Sequence, residues 1–152
     1  MPLLARRLWP AFALSIATFA AGLVVGSVRR ADADAPAMTP MIIHVPALTS
    51  ADLPPPAKGM NLQNKVLVTA DGATVQVQLG AVGKHYHANA NEIQYVVDGQ
   101  GKFWLGDSYK DVGPGDLIII PKGTAHGGTT TSFKAIAIKT PPQAKDDVHP
   151  VP

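Results

Sequence analysis

The stretch from Gly80 to Gly99, GAVGKHYHANANEIQYVVDG, decides how the rest of the chain is read. Along a strand, residues two apart face the same side, so His85 and His87 send their imidazoles to one face and Tyr86 points to the other. Glu92 opens the next strand after the short loop Ala88 to Asn91, near enough to offer a carboxylate to the same point. A second stretch, Gly115 to Thr130, GDLIIIPKGTAHGGTT, places His126 after the Pro121-Lys122-Gly123 turn, where it can approach from a neighbouring strand. Three neutral imidazoles and one carboxylate suit Fe, Mn, Co, Ni, Cu or Zn, and suit hard cations such as Ca²⁺ poorly. In a six-coordinate site these ligands leave two positions for water, O₂ or a chelating substrate.

Around these stretches the pattern is strands and turns. Thr74 to Leu79 alternates polar and apolar, as a half-buried strand does. Glu92 to Val97, Lys102 to Leu105, Leu117 to Ile120 and Phe133 to Lys139 are rich in strong β-formers. Asp71-Gly72, Asp98-Gly99, Gly106-Asp107, Gly113-Pro114-Gly115 and Lys122-Gly123 punctuate them with turn chemistry. No segment here sustains a helical period. Short strands at close spacing predict an all-β, six-to-eight-stranded, jelly-roll-like barrel, whose closure removes the exposed edges of so small a sheet. Leu117 to Ile120 reads as core.

The two stretches resemble the paired motifs of the cupin superfamily, G-x5-H-x-H-x(3,4)-E-x6-G and G-x5-P-x-G-x2-H-x3-N. Fifteen residues, Gln100 to Pro114, separate them, the short spacing of compact microbial members. Two departures stand out: Gly80 lies one residue nearer His85 than the pattern asks, and Thr130 replaces the final Asn. Neither position is a ligand in the family. The resemblance implies one divalent transition metal held by His85, His87, Glu92 and His126, with Fe or Mn foremost and Zn, Ni, Cu and Co compatible. It also implies a homodimer, and turn roles for Gly99, Gly115 and Gly123.

Composition narrows the remainder. The chain has no Cys, which excludes disulfides, thiolate metal sites and a cysteine nucleophile. Of 13 basic and 11 acidic residues, four and two lie before residue 36, leaving nine of each, so nothing favours nucleic acid. Arg6 and Arg7 precede an apolar run from Ala11 to Gly26, and the small-residue triplet Ala31-Asp32-Ala33 follows. That is the form of an export signal; the same stretch, left uncleaved, is long enough to anchor the chain in a membrane. Both readings place the domain outside the cytoplasm, periplasmic or secreted in the first case. The expected organisation is residues 1–35 signal or anchor, 36–60 a Pro/Ala-rich arm, 61–140 the barrel and 141–152 a flexible tail, with His44 and His149 as solvated arm and tail residues.

The chemistry is less constrained than the fold. Glu92 is a candidate base as well as a ligand, and Gln94, on the same strand face, is a candidate substrate-orienting group. Tyr86 and Tyr95 fall on the opposite face as packing or subunit-contact residues, one of Phe103 and Trp104 lines the pocket or interface, and Lys84 is a solvated lysine or an attractor of anions. A dioxygenase-like oxidoreductase acting on a small oxygenated compound is the first expectation. A non-catalytic extracytoplasmic binding protein and a metal-dependent lyase or isomerase are the alternatives, because fold and ligand set do not select among them.

Overall fold

In the computed structural model, which describes residues 38–152, the turn glycines separate ten strands. They are β1 (Asn61–Ala70), β2 (Ala73–Ala81), β3 (His85–Tyr86), β4 (Asn91–Asp98), β5 (Gly101–Leu105), β6 (Ser108–Val112), β7 (Leu117–Ile120), β8 (His126–Gly128), β9 (Lys134–Thr140) and β10 (His149–Pro150). The count exceeds the six to eight expected because β3, β8 and β10 span only two or three residues, too few for alternation to reveal. The segment expected to direct export lies outside the described residues.

The strands form two antiparallel five-stranded sheets, ordered β1-β2-β9-β4-β7 and β10-β3-β8-β5-β6. Val96, Phe103, Ile118, Ile120, Phe133 and Ala135, drawn from both sheets, form one buried apolar cluster. Register explains why the rest of the interior is polar. Thr74, Lys139, Glu92 and Ile120 lie in one cross-strand row, and Gln76, Ala137, Gln94 and Ile118 in the next. Every residue of both rows is buried, with alanine on β9 leaving room beside the two glutamines.

Thr74 to Leu79 therefore departs from the usual half-buried strand. Its polar side chains, Thr74, Gln76 and Gln78, face inward, and Val77 on the other face is fully buried as well. The cover comes from the segment before the barrel, where the 3-10 turns Val45–Ala47 and Ser50–Asp52 bring Val45, Leu48 and Leu53 against Val77, Leu79 and Ile136. Polar bonds fix the segment in place: Lys134 Nζ donates to Pro46 O at 2.8 Å, and Ser50 Oγ to Gln63 Oε1 at 2.7 Å.

The expectation that all of Leu117 to Ile120 is core is corrected. Ile118 and Ile120 point inward, whereas Leu117 and Ile119 are 61% and 55% exposed on edge strand β7. Period-2 alternation imposes this, and the covering segment stops short of the strip that they form with Tyr95.

Gly99 is required by geometry: its φ is +80°, and a Cβ there would lie 2.4 Å from Ser132 O. Gly99→Ala is expected to cost about 2–3 kcal/mol in denaturant titration. Gly72→Ala, at φ +73° but with open space around it, is expected to cost only about 1 kcal/mol.

Candidate metal centre

His85 on β3, His87 just after it and His126 on β8 face inward and are buried. Register sets this, because His85 pairs directly with His126 across the sheet. Potential ligand atoms of the three imidazoles all lie within 4.8 Å of one another.

Each ring is oriented by a backbone carbonyl. Nδ1 of His85 lies 2.9 Å from Gly83 O, Nδ1 of His126 lies 2.9 Å from Thr124 O, and Nδ1 of His87 lies 2.5 Å from Asp147 O. A carbonyl only accepts, so each Nδ1 carries the proton and each neutral Nε2 presents a lone pair. Three lone pairs in one buried space form a site for a Lewis-acidic cation.

Glu92 stands against two of the three imidazoles, its Oε2 at 3.0 Å from His87 Nε2 and 3.3 Å from His126 Nε2. With the Nδ1 protons committed to carbonyls, these contacts attract only when a proton or a cation lies between. His126 Nε2 is buried and has no hydrogen-bond partner among the described residues. An orphaned buried nitrogen beside a carboxylate fits a divalent transition metal well.

The electrostatics agree with a neutral His85 ring and an ionised acid. Burial, reinforced by the neighbouring His126, pulls the His85 pKa down to about 4. Burial alone would raise the Glu92 pKa, but contacts with His126 and His87, which act this way only with a proton or cation at Nε2, together with Lys139 and Gln94, outweigh it and hold the carboxyl well below its usual range. Gln94 Nε2 donates to Glu92 Oε1 at 2.9 Å, and Gln94 Oε1 is buried without a partner among the described residues. Both residues named from the sequence as candidate catalytic groups thus meet at the centre.

Other sequence expectations separate here. Phe103 is buried, with its ring 6.3 Å from that of His126, whereas Trp104 faces outward under the Lys84 ammonium, 4.4 Å from its ring centroid. Lys84 is therefore engaged in a cation–π contact. A cleft of about 480 Å³ reaches His85 from one side, lined in part by Met60, Leu62, Val82 and Thr129.

Sequence reasoning missed two residues. Lys139 is buried on β9, its Nζ 3.6 Å from Glu92 Oε2 and 3.4 Å from His87 Nε2, and it also donates to Gln143 Oε1. Its position was readable, since it shares strand phase with the inward-facing Ala135 and Ala137. Burial lowers the Lys139 pKa, partly offset by Glu92. Asp147 had no local signal, because its partners lie some 60 residues earlier. The segment expected to be a flexible tail docks through the same contacts: β10 pairs with β3, and His149, its side chain 40% exposed, stacks on Tyr86 with ring centroids 4.9 Å apart.

A two-sheet barrel with three inward imidazoles and a buried carboxylate forms a small β-barrel with a candidate metal site. Residues 73–138 match the sequence model of the Cupin_2 family, a cupin domain, which supports placing the barrel in the cupin superfamily. No curated protein sequence matches the chain. Among solved structures it is similar to a variant of Streptomyces PAC13 with uridine, at 24% identity over 60% of this chain and 78% of that one, with a TM-score of 0.54. It is also similar to Pac13 described as a unique nucleoside dehydratase, at 25% identity over 60% and 78% with a TM-score of 0.51. KdgF from Halomonas sp. is similar at 27% identity over 57% and 83%, with a TM-score of 0.50.

The depressed His85 pKa has a defined pH consequence. Unfolded histidine takes up a proton near pH 6.5, while the folded residue resists down to about 4, so the unfolded chain binds more protons in that window. Metal-free protein is expected to lose stability as pH falls from 6.5 toward 4.5, before the carboxylates titrate. Thermal unfolding across that range checks this, with a flatter profile expected for His85→Asn.

Proposed function

We propose that this chain is an exported cupin that binds one divalent transition metal through His85, His87, His126 and Glu92 and catalyses a lyase-type elimination on a small oxygenated compound. The observation that supports metal binding is the set of three Nδ1–H···O=C bonds, which turn three Nε2 lone pairs into one buried space, two of them beside the Glu92 carboxylate. Bound there, the metal would supply Lewis acidity toward an oxygen of the substrate.

Lys139 favours elimination over oxidation. Glu92, held ionised, suits a ligand better than a base, which narrows the catalytic role expected for it from the sequence. The buried Lys139 amine, with its lowered pKa, suits proton transfer. Its Nζ takes a proton from carbon while the carbon–oxygen bond breaks on the same face, and then returns that proton to the departing hydroxyl oxygen. Water and a double bond result, with no oxidant consumed. Gln94 Oε1, an acceptor without a partner, orients a substrate hydroxyl. The likeness to Pac13, described as a nucleoside dehydratase, agrees with this class of reaction. The dioxygenase-like reading keeps one supporting feature, the two positions that four protein ligands leave open on a six-coordinate redox metal.

Two further parts of the proposal rest on other features. Export rests on the Arg6-Arg7 pair, the apolar run and the Ala31-Asp32-Ala33 triplet. Homodimer formation rests on the exposed strip of Tyr95, Leu117 and Ile119 at edge strand β7.

Protein recovered from the extracytoplasmic fraction is expected to carry about one metal per chain by elemental mass spectrometry and to have the mass of a dimer in light scattering. His126→Ala should abolish the metal, and a metal-free wild type that takes up none of the divalent ions offered would overturn the site. Turnover is the second check. Lys139→Met is expected to retain the metal and lower kcat about 10²–10⁴-fold in anaerobic elimination assays. Activity that requires O₂ would favour the oxidoreductase instead.

A further inference from the structure

The segment 141–152 contributes to the centre in a way that neither the fold nor the ligand set requires. Asp147 is buried, and both its carboxylate and its backbone carbonyl are used. The carboxylate accepts from the loop joining His87 to Glu92: from Ala88 N at 2.8 Å, from Asn89 N at 3.1 Å, from Asn89 Nδ2 at 3.2 Å and from Ala90 N at 3.1 Å. The carbonyl of the same residue accepts His87 Nδ1–H. Around it, Val151 N donates to Lys84 O at 3.0 Å and Pro150 pairs with His85. Val148 and Pro150 form one wall of the cleft that reaches His85.

The two functions of Asp147 are physically coupled. Four N–H groups pin its carboxylate, so its carbonyl sits at a fixed place relative to the loop that carries His87. Of the three imidazoles, His85 and His126 are oriented by carbonyls only two residues away, supplied by their own strand ends. His87 alone depends on a carbonyl 60 residues distant. Its Nδ1–H bond is therefore made only when segment 141–152 is docked.

We propose that Asp147 is a positioning residue for the metal centre, locking the Nδ1–H tautomer and ring orientation of His87 by latching segment 141–152 onto the loop Ala88 to Asn91. The proposal rests on the metal-site reading for its consequence, but its geometric content holds in metal-free protein.

The test uses the full chain and two readouts. In metal-free protein at pH 8, ¹H–¹⁵N NMR of the ring nitrogens is expected to show His87 as a single Nδ1–H tautomer with a far-downfield proton. Asp147→Ala is expected to yield a mixture of tautomers. Asp147→Asn, whose Oδ1 still accepts from Ala88 and Asn89 N–H, should recover part of the order, and it also decides the question if the alanine variant does not fold. Titration with Co²⁺ is the second readout: Asp147→Ala should weaken binding about 10–100-fold and shift the visible ligand-field bands, with Asp147→Asn intermediate. An unchanged His87 tautomer in both variants overturns the proposal. A wild type that binds no Co²⁺ overturns the metal reading instead, while the NMR comparison still decides the role of Asp147.

Discussion

Everything at the centre depends on where three imidazole protons sit. A neutral histidine has one donor and one acceptor nitrogen, and a nearby carbonyl settles which is which. Here Gly83, Thr124 and Asp147 supply those carbonyls, so the acceptor nitrogens face the interior together. Had the rings turned over, three N–H groups would point at each other in a space with too few acceptors for them. The backbone path therefore sets the orientation of all three rings.

That constraint explains why so much of the interior is polar. An apolar core fills space but cannot hold a charged cluster in place, since unpaired buried charge is costly. The fold separates the two tasks. Phe103, Phe133, Val96 and Ala135 pack with Ile118 and Ile120 between the sheets, while Gln76, Gln94, Glu92 and Lys139 continue the rows that Ile118 and Ile120 end on β7. A second apolar layer outside the first sheet, under Val45, Leu48 and Leu53, adds buried area that the polar interior does not supply. A domain this small gains from being covered on both faces of one sheet.

Most of the ligand set could be read from local spacing. His85 and His87 are two apart on one strand, and Glu92 and His126 follow turns marked by their own residues, so each position follows from short-range rules. Strand existence was legible for the same reason, and strand number was not, because two-residue pairings such as β3 with β10 leave no periodicity. Alternation gave the phase of Thr74 to Leu79 but not the identity of each face: with apolar cover on the outside, the polar side turns inward. The run Leu117 to Ile120 fails for the complementary reason. Its residues are uniformly apolar, so composition hides an alternation that the pleat enforces. Asp147 lay beyond reach, because nothing near it in sequence shows that the loop Ala88 to Asn91 has N–H groups to satisfy.

Lys139 shows how the pieces constrain one another. Its ammonium already offers positive charge to Glu92 Oε2 and to the lone pair of His87 Nε2. A divalent cation held by Glu92 and His87 would meet a like charge there, which would favour release of the lysine proton. Burial works in the same direction, and Glu92 works against it. Burial thus loosens the proton on Nζ while Glu92 holds it. A lysine on the barrel exterior would have none of this lability. The inward phase of β9, shared with Ala135 and Ala137 on the same face, makes Lys139 a buried neighbour of Glu92 and His87 rather than a solubilising group.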